Sequence, residues 1–152
     1  MRLTLVAVGR ARAGPLAELF EEYRRRCPWP IRLVEVAARN RLAPARASAE
    51  EARLLLDSVP AGALVVALDE RGASLTSEAF AARLGAWRDS GRREVACLIG
   101  GPEGLDPAGL ERADLTLAFG AMTWPHLLVR VMLAEQLYRA ATILAGHPYH
   151  RG

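Results

Sequence analysis

A glycine-rich segment at residues 98–105 is the first place where the sequence could do chemistry. It reads LIGGPEGL, with three glycines in five residues directly after an apolar run typical of a buried strand. Asp106 and Pro107 follow, a pair typical of a helix N-cap and first turn. Because glycine adopts positive φ and leaves the main chain open, this junction predicts one wall of a ligand site at a strand's carboxyl end. The spacing is neither GxGxxG nor a Walker loop, and structural turns also use Gly and Pro, so no nucleotide class follows.

A second set of reactive side chains lies near the C-terminus. Glu135 and Arg139 stand four residues apart in a helical pattern, which suits an ordinary ion pair as well as an acid and a cation in a site. The tail then places two histidines, a tyrosine and an arginine within five residues, namely His147, Tyr149, His150 and Arg151. These types can accept a proton, stack on a base and stabilise an anion. The local pattern leaves open whether this end is functional or an ordinary polar terminus.

The elements that must position these residues alternate between strands and helices. Apolar runs predict strands at 3–8, 31–36, 63–68, 95–99 and 115–119. Helical spacing predicts helices at 15–26, 48–59, 76–90 and 125–145, besides the short one after Asp106. Ser48 and Glu51 have the spacing of a capping box. The alternation predicts a single α/β domain over residues 1–152, built around a mostly parallel sheet with flanking helices.

Composition excludes several classes of protein. Hydrophobic residues make up 51% of the 152-residue chain, yet no apolar run approaches the roughly 20 residues of a membrane span. The start of the chain does not resemble a cleaved signal, and Cys27 and Cys97 lie far apart without metal-ligand spacing. Cys97 falls inside an apolar strand and is predicted to be a small buried residue. We therefore expect a cytoplasmic protein with no membrane and no metal.

All basic residues are arginines, 20 in number, and the net charge is +3. Genome composition or heat adaptation would explain most of them, whereas phosphate recognition is the alternative because the guanidinium fork matches phosphate oxygens. Residues 38–47 lack a period and carry Arg39, Arg41 and Arg46. We interpret them as a mobile basic loop that either contacts RNA or is simply solvated.

The last predicted helix carries apolar residues on two sides. One side holds Leu133, Leu137, Ala141 and Leu144. The other side holds Leu128, Met132 and Ile143. A surface helix packed on one face would not show this pattern, so we expect burial against the sheet and against a second copy of the chain. The prediction is a homodimer with this helix in its interface.

Three segments in a fixed order resemble one known family. They are LIGGPEGL at 98–105, TWPHLLVRVMLAEQLYRA at 123–140 and HPYHR at 147–151. Together they are similar to the RlmH family, SPOUT-class methyltransferases that act on N3 of a pseudouridine in large-subunit ribosomal RNA. Weaker similarity at 5–9 and 66–72 extends the resemblance over essentially the whole chain.

The resemblance implies a fold, a cofactor and a set of site residues. The fold is an α/β domain with a C-terminal trefoil knot, the assembly is a homodimer, and the cofactor is S-adenosylmethionine, bound in a bent form. Its contacts, carried over by motif, are Leu68, Gly100, Gly101, Gly120, Ala121, Met122, Thr123, Trp124 and Pro125. The substrate is ribosomal RNA, and because basic patches are few we expect an assembled ribosomal particle that supplies shape.

Methyl transfer to pseudouridine N3 requires loss of the N3 proton. His150 could accept it, Arg139 and Arg151 could stabilise the anion, and Glu135 could orient the tail or act as the base. Tyr149 could stack on the target base or pack on the partner, and Arg151 could bind the RNA.

Three further residues receive structural predictions. His126 is expected to hydrogen-bond a loop, and His147 to help cap the last helix. The charge of Arg130 needs a partner, for which we name Glu103.

Other functions fit parts of the pattern. Another SPOUT enzyme acting on tRNA or a ribose would share fold and cofactor, and only the HPYHR ending argues against it. A non-catalytic, ribosome-associated RNA-binding protein would keep the fold without using the cofactor. A Rossmann dehydrogenase is disfavoured, because the GxGxxG segment and the ribose-binding acid are missing.

Overall fold

Five parallel strands form one sheet, and the loops that contain the predicted cofactor contacts follow its strands. The computed structural model describes residues 1–39 and 42–151, with the backbone alone for His150 and Arg151. The strands are β1 (Arg2–Val8), β2 (Ile31–Val36), β3 (Leu64–Ala73), β4 (Glu94–Ile99) and β5 (Leu115–Leu117). Their order in the sheet is β2-β1-β4-β3-β5, and each neighbouring pair is parallel. All five carboxyl ends therefore lie along the same edge, as the predicted α/β fold requires.

Helices cover both faces of the sheet. They are α1 (Pro15–Arg26), α2 (Pro44–Asp57), α3 (Ser77–Asp89), α4 (Pro107–Glu111) and α5 (His126–Leu144), followed by a 3-10 helix (Pro148–Arg151). On one face α5 packs against both α1 and α3, and on the other α2 packs against α4. Within the described ranges, none of these helices combines the length and apolarity that crossing a bilayer needs.

Alternate residues of each central strand enter two separate cores. Leu5 and Cys97 face the layer of α1, α3 and α5, whereas Val6 and Leu98 face α2 and α4. All four are fully buried, which explains why these strands read as continuous apolar runs. Burial raises the pKa of the Cys97 thiol to about 12, so this cysteine is an unreactive core residue, as predicted.

Helix α2 begins four residues earlier than the sequence predicted. Its N-cap is Ala43, with Pro44 in the first turn, and no side chain caps it. Ser48 therefore lies inside the helix, where its hydroxyl donates to Asp106 Oδ2 at 3.4 Å, and the predicted capping box is wrong. The first turn has no apolar period to mark it, because it is rich in Ala and Arg. In the predicted basic loop, Arg41 lies outside the described residues.

Strand β3 continues past the predicted break at residue 68 and ends at Ala73. Its pairing with β5 shifts register between Leu68 and Ala73, so the polar segment 69–72 is carried as an irregularity within the strand. A Cβ on Gly72 would lie 2.7 Å from the Thr116 backbone, which restricts this position to glycine. The polar residues predicted a loop because an irregular strand end and a loop have the same composition.

Contacts within the chain account for much of the two-sided apolar pattern of α5. Leu133, Leu137 and Ala141 are buried, and Ile143 and Leu144 pack on the same core. Helices α1 and α3 cover opposite flanks of α5. The pattern alone therefore does not require a second copy, although Leu128 and Met132 stay only half-buried.

The end of α5 is closed by a glycine-based C-cap. Gly146 has φ +69°, and its N–H bonds to the Ile143 carbonyl. The His147 N–H bonds to the Thr142 carbonyl at 2.9 Å, which completes a Schellman motif. His147 thus caps the helix as predicted, through its backbone.

Arg130 on α5 is almost completely buried, at 2% exposure. Its guanidinium donates to Glu35 Oε1 at 2.6 Å and to the carbonyls of Val8 and Gly9 at 2.8 and 2.7 Å. The predicted partner Glu103 is wrong, since Glu103 is exposed in the loop after β4. The ion pair ties α5 to the carboxyl ends of β1 and β2.

We expect acid to weaken the fold through Glu35. Burial raises the pKa of Glu35, but hydrogen bonds from the Ala11 N–H and Arg130 outweigh it, so the pKa lies below its ordinary value. A carboxylate with a lowered native pKa stabilises the fold at pH values above its pKa in the unfolded chain, which is ~4.3. This stability is lost as the pH falls through the native pKa. Glu35→Gln should reduce this acid-induced loss of stability. It should also lower the free energy of unfolding at neutral pH by about 2–4 kcal/mol, because Arg130 is left as a buried cation without its carboxylate.

Urea unfolding between neutral and acidic pH measures this effect. Asp57→Asn is the matched control, because it breaks the exposed Arg53–Asp57 pair and should change stability by less than about 1 kcal/mol. An acid profile of Glu35→Gln that overlays that of the wild type would contradict the expectation.

Candidate active site

A cleft of about 800 Å³ opens at the carboxyl edge of the sheet. Three segments line it: residues 68–71 of β3, residues 99–105 at and after β4, and residues from 117 to 126 at and after β5. His126 and Val129 of α5 close one side. The volume falls in the range of small-molecule sites. Strands β4, β3 and β5 are adjacent in the sheet, so their loops meet in one site.

The glycine loop after β4 is folded tightly on itself. A Cβ on Gly100 would overlap the carbonyl group of Gly104, and one on Gly101 would lie 3.0 Å from Val8 Cγ1. The Gly104 N–H bonds to the Gly101 carbonyl at 2.9 Å, and Gly104 has φ +80°. At these positions the missing side chains make room for the protein itself. The result is a compact backbone wall for the cleft.

The loop after β5 presents apolar side chains at the mouth of the cleft. Met122 is 75% exposed and Trp124 is 40% exposed. The loop is held by Trp124 Nε1, which donates to the Phe119 carbonyl at 3.0 Å, and by Thr123 Oγ1, which donates to Glu70 Oε2 at 2.9 Å. Such exposed apolar groups beside a cleft are suited to cover a planar or aliphatic ligand.

Acidic side chains stand on the β3 side of the cleft. The Arg71 guanidinium donates to both carboxylate oxygens of Asp69, at 2.8 and 3.0 Å. These bonds lower the pKa of Asp69 although burial opposes the shift, so Asp69 stays charged at neutral pH. Arg71 also lines the cleft and neutralises the charge of Asp69, so Glu70 and the exposed Glu103 supply the remaining negative charge there.

Most of the residues predicted to contact a cofactor line this cleft. They are Leu68, Gly100, Gly101, Gly120, Met122, Thr123, Trp124 and Pro125, whereas Ala121 is not among the lining residues. Sequence reasoning missed lining residues next to the predicted segments, chiefly Asp69, Glu70, Arg71, Glu103 and Val129. The only signal in the sequence was that these residues lie next to the predicted segments.

His126 also lines the cleft, and it differs from its predicted role. Its ring forms no hydrogen bond with another described residue, and Nε2 lies 3.6 Å from the position of a Cβ on Gly9. Burial, followed by the charge of Arg130, lowers the pKa of His126. The imidazole is therefore neutral at pH 7.

A second polar cluster forms where the tail packs on α5. Arg139 donates to Glu135 Oε1 at 2.6 and 2.9 Å, and the Tyr149 hydroxyl donates to the same oxygen at 3.1 Å. Gln136 Nε2 donates to Glu135 Oε2 at 2.8 Å. The structure thus brings together Glu135, Arg139 and Tyr149, three of the predicted site residues. The side chains of His150 and Arg151 lie outside the described residues.

Aromatic packing anchors the tail. The Tyr149 ring lies 4.5 Å from the Tyr138 ring, and the guanidinium groups of Arg139 and Arg26 lie 4.9 and 5.3 Å from its centroid. Burial raises the pKa of Tyr149, and the neighbouring Tyr23 hydroxyl and Glu135 carboxylate raise it further. Tyr149 therefore acts as a neutral hydrogen-bond donor.

Within one chain the tail cluster is separate from the cleft. Neither Glu135, Arg139 nor Tyr149 lines the cleft, which α5 reaches through His126 and Val129. At the rise of an α-helix, Glu135 lies about 9 Å and Arg139 about 15 Å along the axis from Val129. Among the described side chains, no cluster of three or more His, Cys, Asp or Glu could hold a metal ion.

Comparison with known proteins places the chain in a family. The family model described as "Predicted SPOUT methyltransferase" matches residues 1–150. The protein named ribosomal RNA large subunit methyltransferase H of Rhodospirillum centenum is 63% identical over 151 residues, and the alignment covers 99% of each chain. The protein of the same name from Paramagnetospirillum magneticum is 57% identical, with the same coverage.

Solved structures share the fold at low sequence identity. A probable methyltransferase from Bordetella pertussis Tohama I superposes with a TM-score of 0.62 at 19% identity, covering 92% of this chain and 96% of that one. A probable methylase family protein from Haemophilus influenzae Rd KW20 has a TM-score of 0.63 at 12% identity, covering 97% and 69%. On the strength of the family model and the full-length relatives, the chain belongs to the SPOUT methyltransferases and, within them, to the RlmH family that its motifs predicted.

Proposed function

We propose that this protein transfers a methyl group from S-adenosylmethionine to N3 of a pseudouridine in large-subunit (23S) ribosomal RNA. The observation that carries the proposal is the cleft at the carboxyl edge, built from three adjacent loops in a chain of this family. The names of the full-length relatives support ribosomal RNA as the substrate. We also propose that the chain is one SPOUT methyltransferase domain whose C-terminal part is threaded as a trefoil knot.

The residues of the cleft fit S-adenosylmethionine, whose sulfonium supplies an electrophilic methyl group. Leu68, Met122 and Trp124 offer apolar surface for the adenine ring, while the backbone at Gly100 and Gly101 forms the wall. The negative charge on this side of the cleft suits a cationic sulfonium. We assign Gly120, Ala121, Thr123 and Pro125 to the same loop, with contacts through the backbone.

The tail cluster supplies the groups that prepare the acceptor nitrogen. We assign His150 to removal of the N3 proton, and Arg139 and Arg151 to stabilisation of the anion that forms. The Glu135 carboxylate already accepts bonds from Arg139, Tyr149 and Gln136, so we assign it to positioning rather than to proton removal. Tyr149 holds the tail against α5 and faces the RNA. No metal takes part in this proposal.

A homodimer would bring the two halves of the site together. Within one chain, Glu135 and Arg139 lie about 9 and 15 Å along α5 from Val129 at the cleft, which supports a site completed by a second chain. Apolar surface remains on the same layer, since Leu16 and Leu19 of α1 are 37% and 43% exposed and Leu128 and Met132 of α5 are half-buried. We propose that a second copy covers this surface and that its tail completes the cleft.

Methylation of ribosomal particles tests the proposed function. Large subunits from cells that lack this gene are incubated with the protein and labelled S-adenosylmethionine, and the RNA is mapped by mass spectrometry. We expect one new methyl group on a pseudouridine of 23S RNA, and much slower reaction with deproteinised RNA. A methyl group on tRNA or on a ribose would favour another SPOUT activity. Absence of calorimetric heat on titration with the cofactor would favour a non-catalytic RNA-binding protein.

A further inference from the structure

The loop that joins β1 to α1 is held rigidly and carries two arginines. Arg130 bonds to the carbonyls of Val8 and Gly9 at its start. The same Glu35 carboxylate that pairs with Arg130 accepts the Ala11 N–H at 2.7 Å. These buried and part-buried bonds therefore determine the path of residues 9–11.

This loop lies next to the cleft, outside the residues that line it. Strand β1 lies beside β4 in the sheet, with Ala7 opposite Ile99, the last residue before the glycine loop. Val8 touches the position of a Cβ on Gly101, and Gly9 lies against His126, which lines the cleft. Residues that follow Gly9 therefore stand at the entrance to the proposed active site.

Arg10 and Arg12 on this loop lack the carboxylate contacts that ten other arginines make in the described part of the chain. Ten ion pairs join arginines to acids in the described part of the chain, and neither residue belongs to one. Both are exposed, and Arg10 exerts only an electrostatic attraction on Glu35. Two exposed cations on an ordered loop, neither of which forms an ion pair with a described residue, are suited to an anion from outside.

The distribution of charge along the edge supports the same conclusion. Arg46 stands exposed in the first turn of α2, which carries no acidic residue. A cation is unfavourable at the positive end of a helix, so helix stability does not explain it. Among the residues that line the cleft, the acids Asp69, Glu70 and Glu103 outnumber the single arginine, Arg71, which pairs with Asp69. The edge is thus basic beyond β1 and acidic over β3 and β4.

We propose that Arg10 and Arg12 bind backbone phosphates of the RNA strand that enters the cleft. This inference rests on the proposed function and names the surface that positions its substrate. A guanidinium fork matches phosphate oxygens, and phosphate contacts set the register of a nucleic acid without reading its sequence. The split in charge keeps the polyanion over this loop and the cationic cofactor in the cleft.

The double variant Arg10→Ala/Arg12→Ala tests this surface. Its dissociation constant for purified large ribosomal subunits, measured as a function of salt concentration, should rise about tenfold or more near about 0.1 M salt. The slope of the logarithm of the dissociation constant against the logarithm of the salt concentration should decrease by about 2, which is one for each phosphate that the variant no longer binds. Cofactor affinity, measured by calorimetry, should change by less than about twofold, because neither arginine lines the cleft.

The matched control is Arg92→Ala/Arg93→Ala. It removes the same charge at the amino end of β4, on the opposite edge, and breaks only one exposed bond, from Arg92 to the Gly62 carbonyl at 3.2 Å. We expect its affinity and salt dependence to match those of the wild type.

Equal effects of the two double variants on affinity and salt dependence would show that only the net charge of the protein attracts it to the ribosomal subunit. This result would overturn the proposal. So would weaker binding with an unchanged salt dependence, since the partner would then be a ribosomal protein. Methyl transfer is recorded separately, so tight, salt-dependent binding without methylation would refute the proposed function and leave the arginine surface supported.

Discussion

Removal of residues 148–152 is expected to reduce methyl transfer by about a thousandfold or more, the range of a lost acid–base group. The truncation removes Tyr149, which anchors the tail to Glu135 at 3.1 Å, together with His150 and Arg151. His147 stays in place, so the C-cap of α5 is retained. Cofactor binding should be largely retained, because within one chain no described residue of the tail lines the cleft. Single-turnover methylation, calorimetry and sedimentation measure activity, cofactor affinity and assembly.

Two single variants refine the test of the tail. His150→Ala should lose most of the same activity, since we assign it to proton removal. Tyr149→Phe keeps the ring packed against Tyr138 and loses only the hydroxyl bond, so activity should fall by less than about tenfold. Full activity in the truncated protein would refute the role of the tail.

Mixed dimers decide which cleft the tail completes. A chain with a damaged glycine loop and a truncated chain are each expected to be inactive alone. If the tail acts on the partner, the mixed dimer contains one intact cleft facing one intact tail, and activity returns. A mixture that stays inactive would mean that each chain builds its own site.

Gly100→Ala is expected to lower cofactor affinity by about a hundredfold or more, the scale of a misplacement of about 1 Å in a preorganised site. The added methyl group would overlap the Gly104 carbonyl, which is backbone and cannot rotate away. The loop must therefore open, and the wall of the cleft is lost. Calorimetric titration with S-adenosylmethionine measures the effect.

Gly109→Ala is the matched control for Gly100→Ala. It lies in α4, where an added Cβ would meet only Leu105 Cδ2 at an ordinary 3.7 Å. Cofactor binding should not change, and stability should rise by about 0.5–1 kcal/mol because alanine favours a helix. Wild-type cofactor affinity in Gly100→Ala would show that the glycine loop does not form part of the binding site.

Local patterns predicted most elements of this chain and failed where the pattern was weak. The bounds of α1 and β2 agree with the prediction, because prolines and strong periodicity mark them. Helix α2 and the end of β3 were misjudged, since an Ala- and Arg-rich turn and a polar bulge carry no apolar period. Likewise, the two-sided apolar pattern of α5 predicted a second copy of the chain as its cover, although α1 and α3 of the same chain account for much of it.

The sequence by itself determined the family and the three loops of the cleft, and it predicts the chemistry of the tail. These are properties of short segments, in which glycines, prolines and ionisable groups act on their immediate neighbours. Only the tertiary structure decided that Arg130 pairs with Glu35, that Tyr149 docks beside Glu135, and that the tail cluster stands apart from the cleft. Such contacts join residues far apart in the chain. They depend on the strand order β2-β1-β4-β3-β5 and on the helix layer packed against it, which no local pattern encodes.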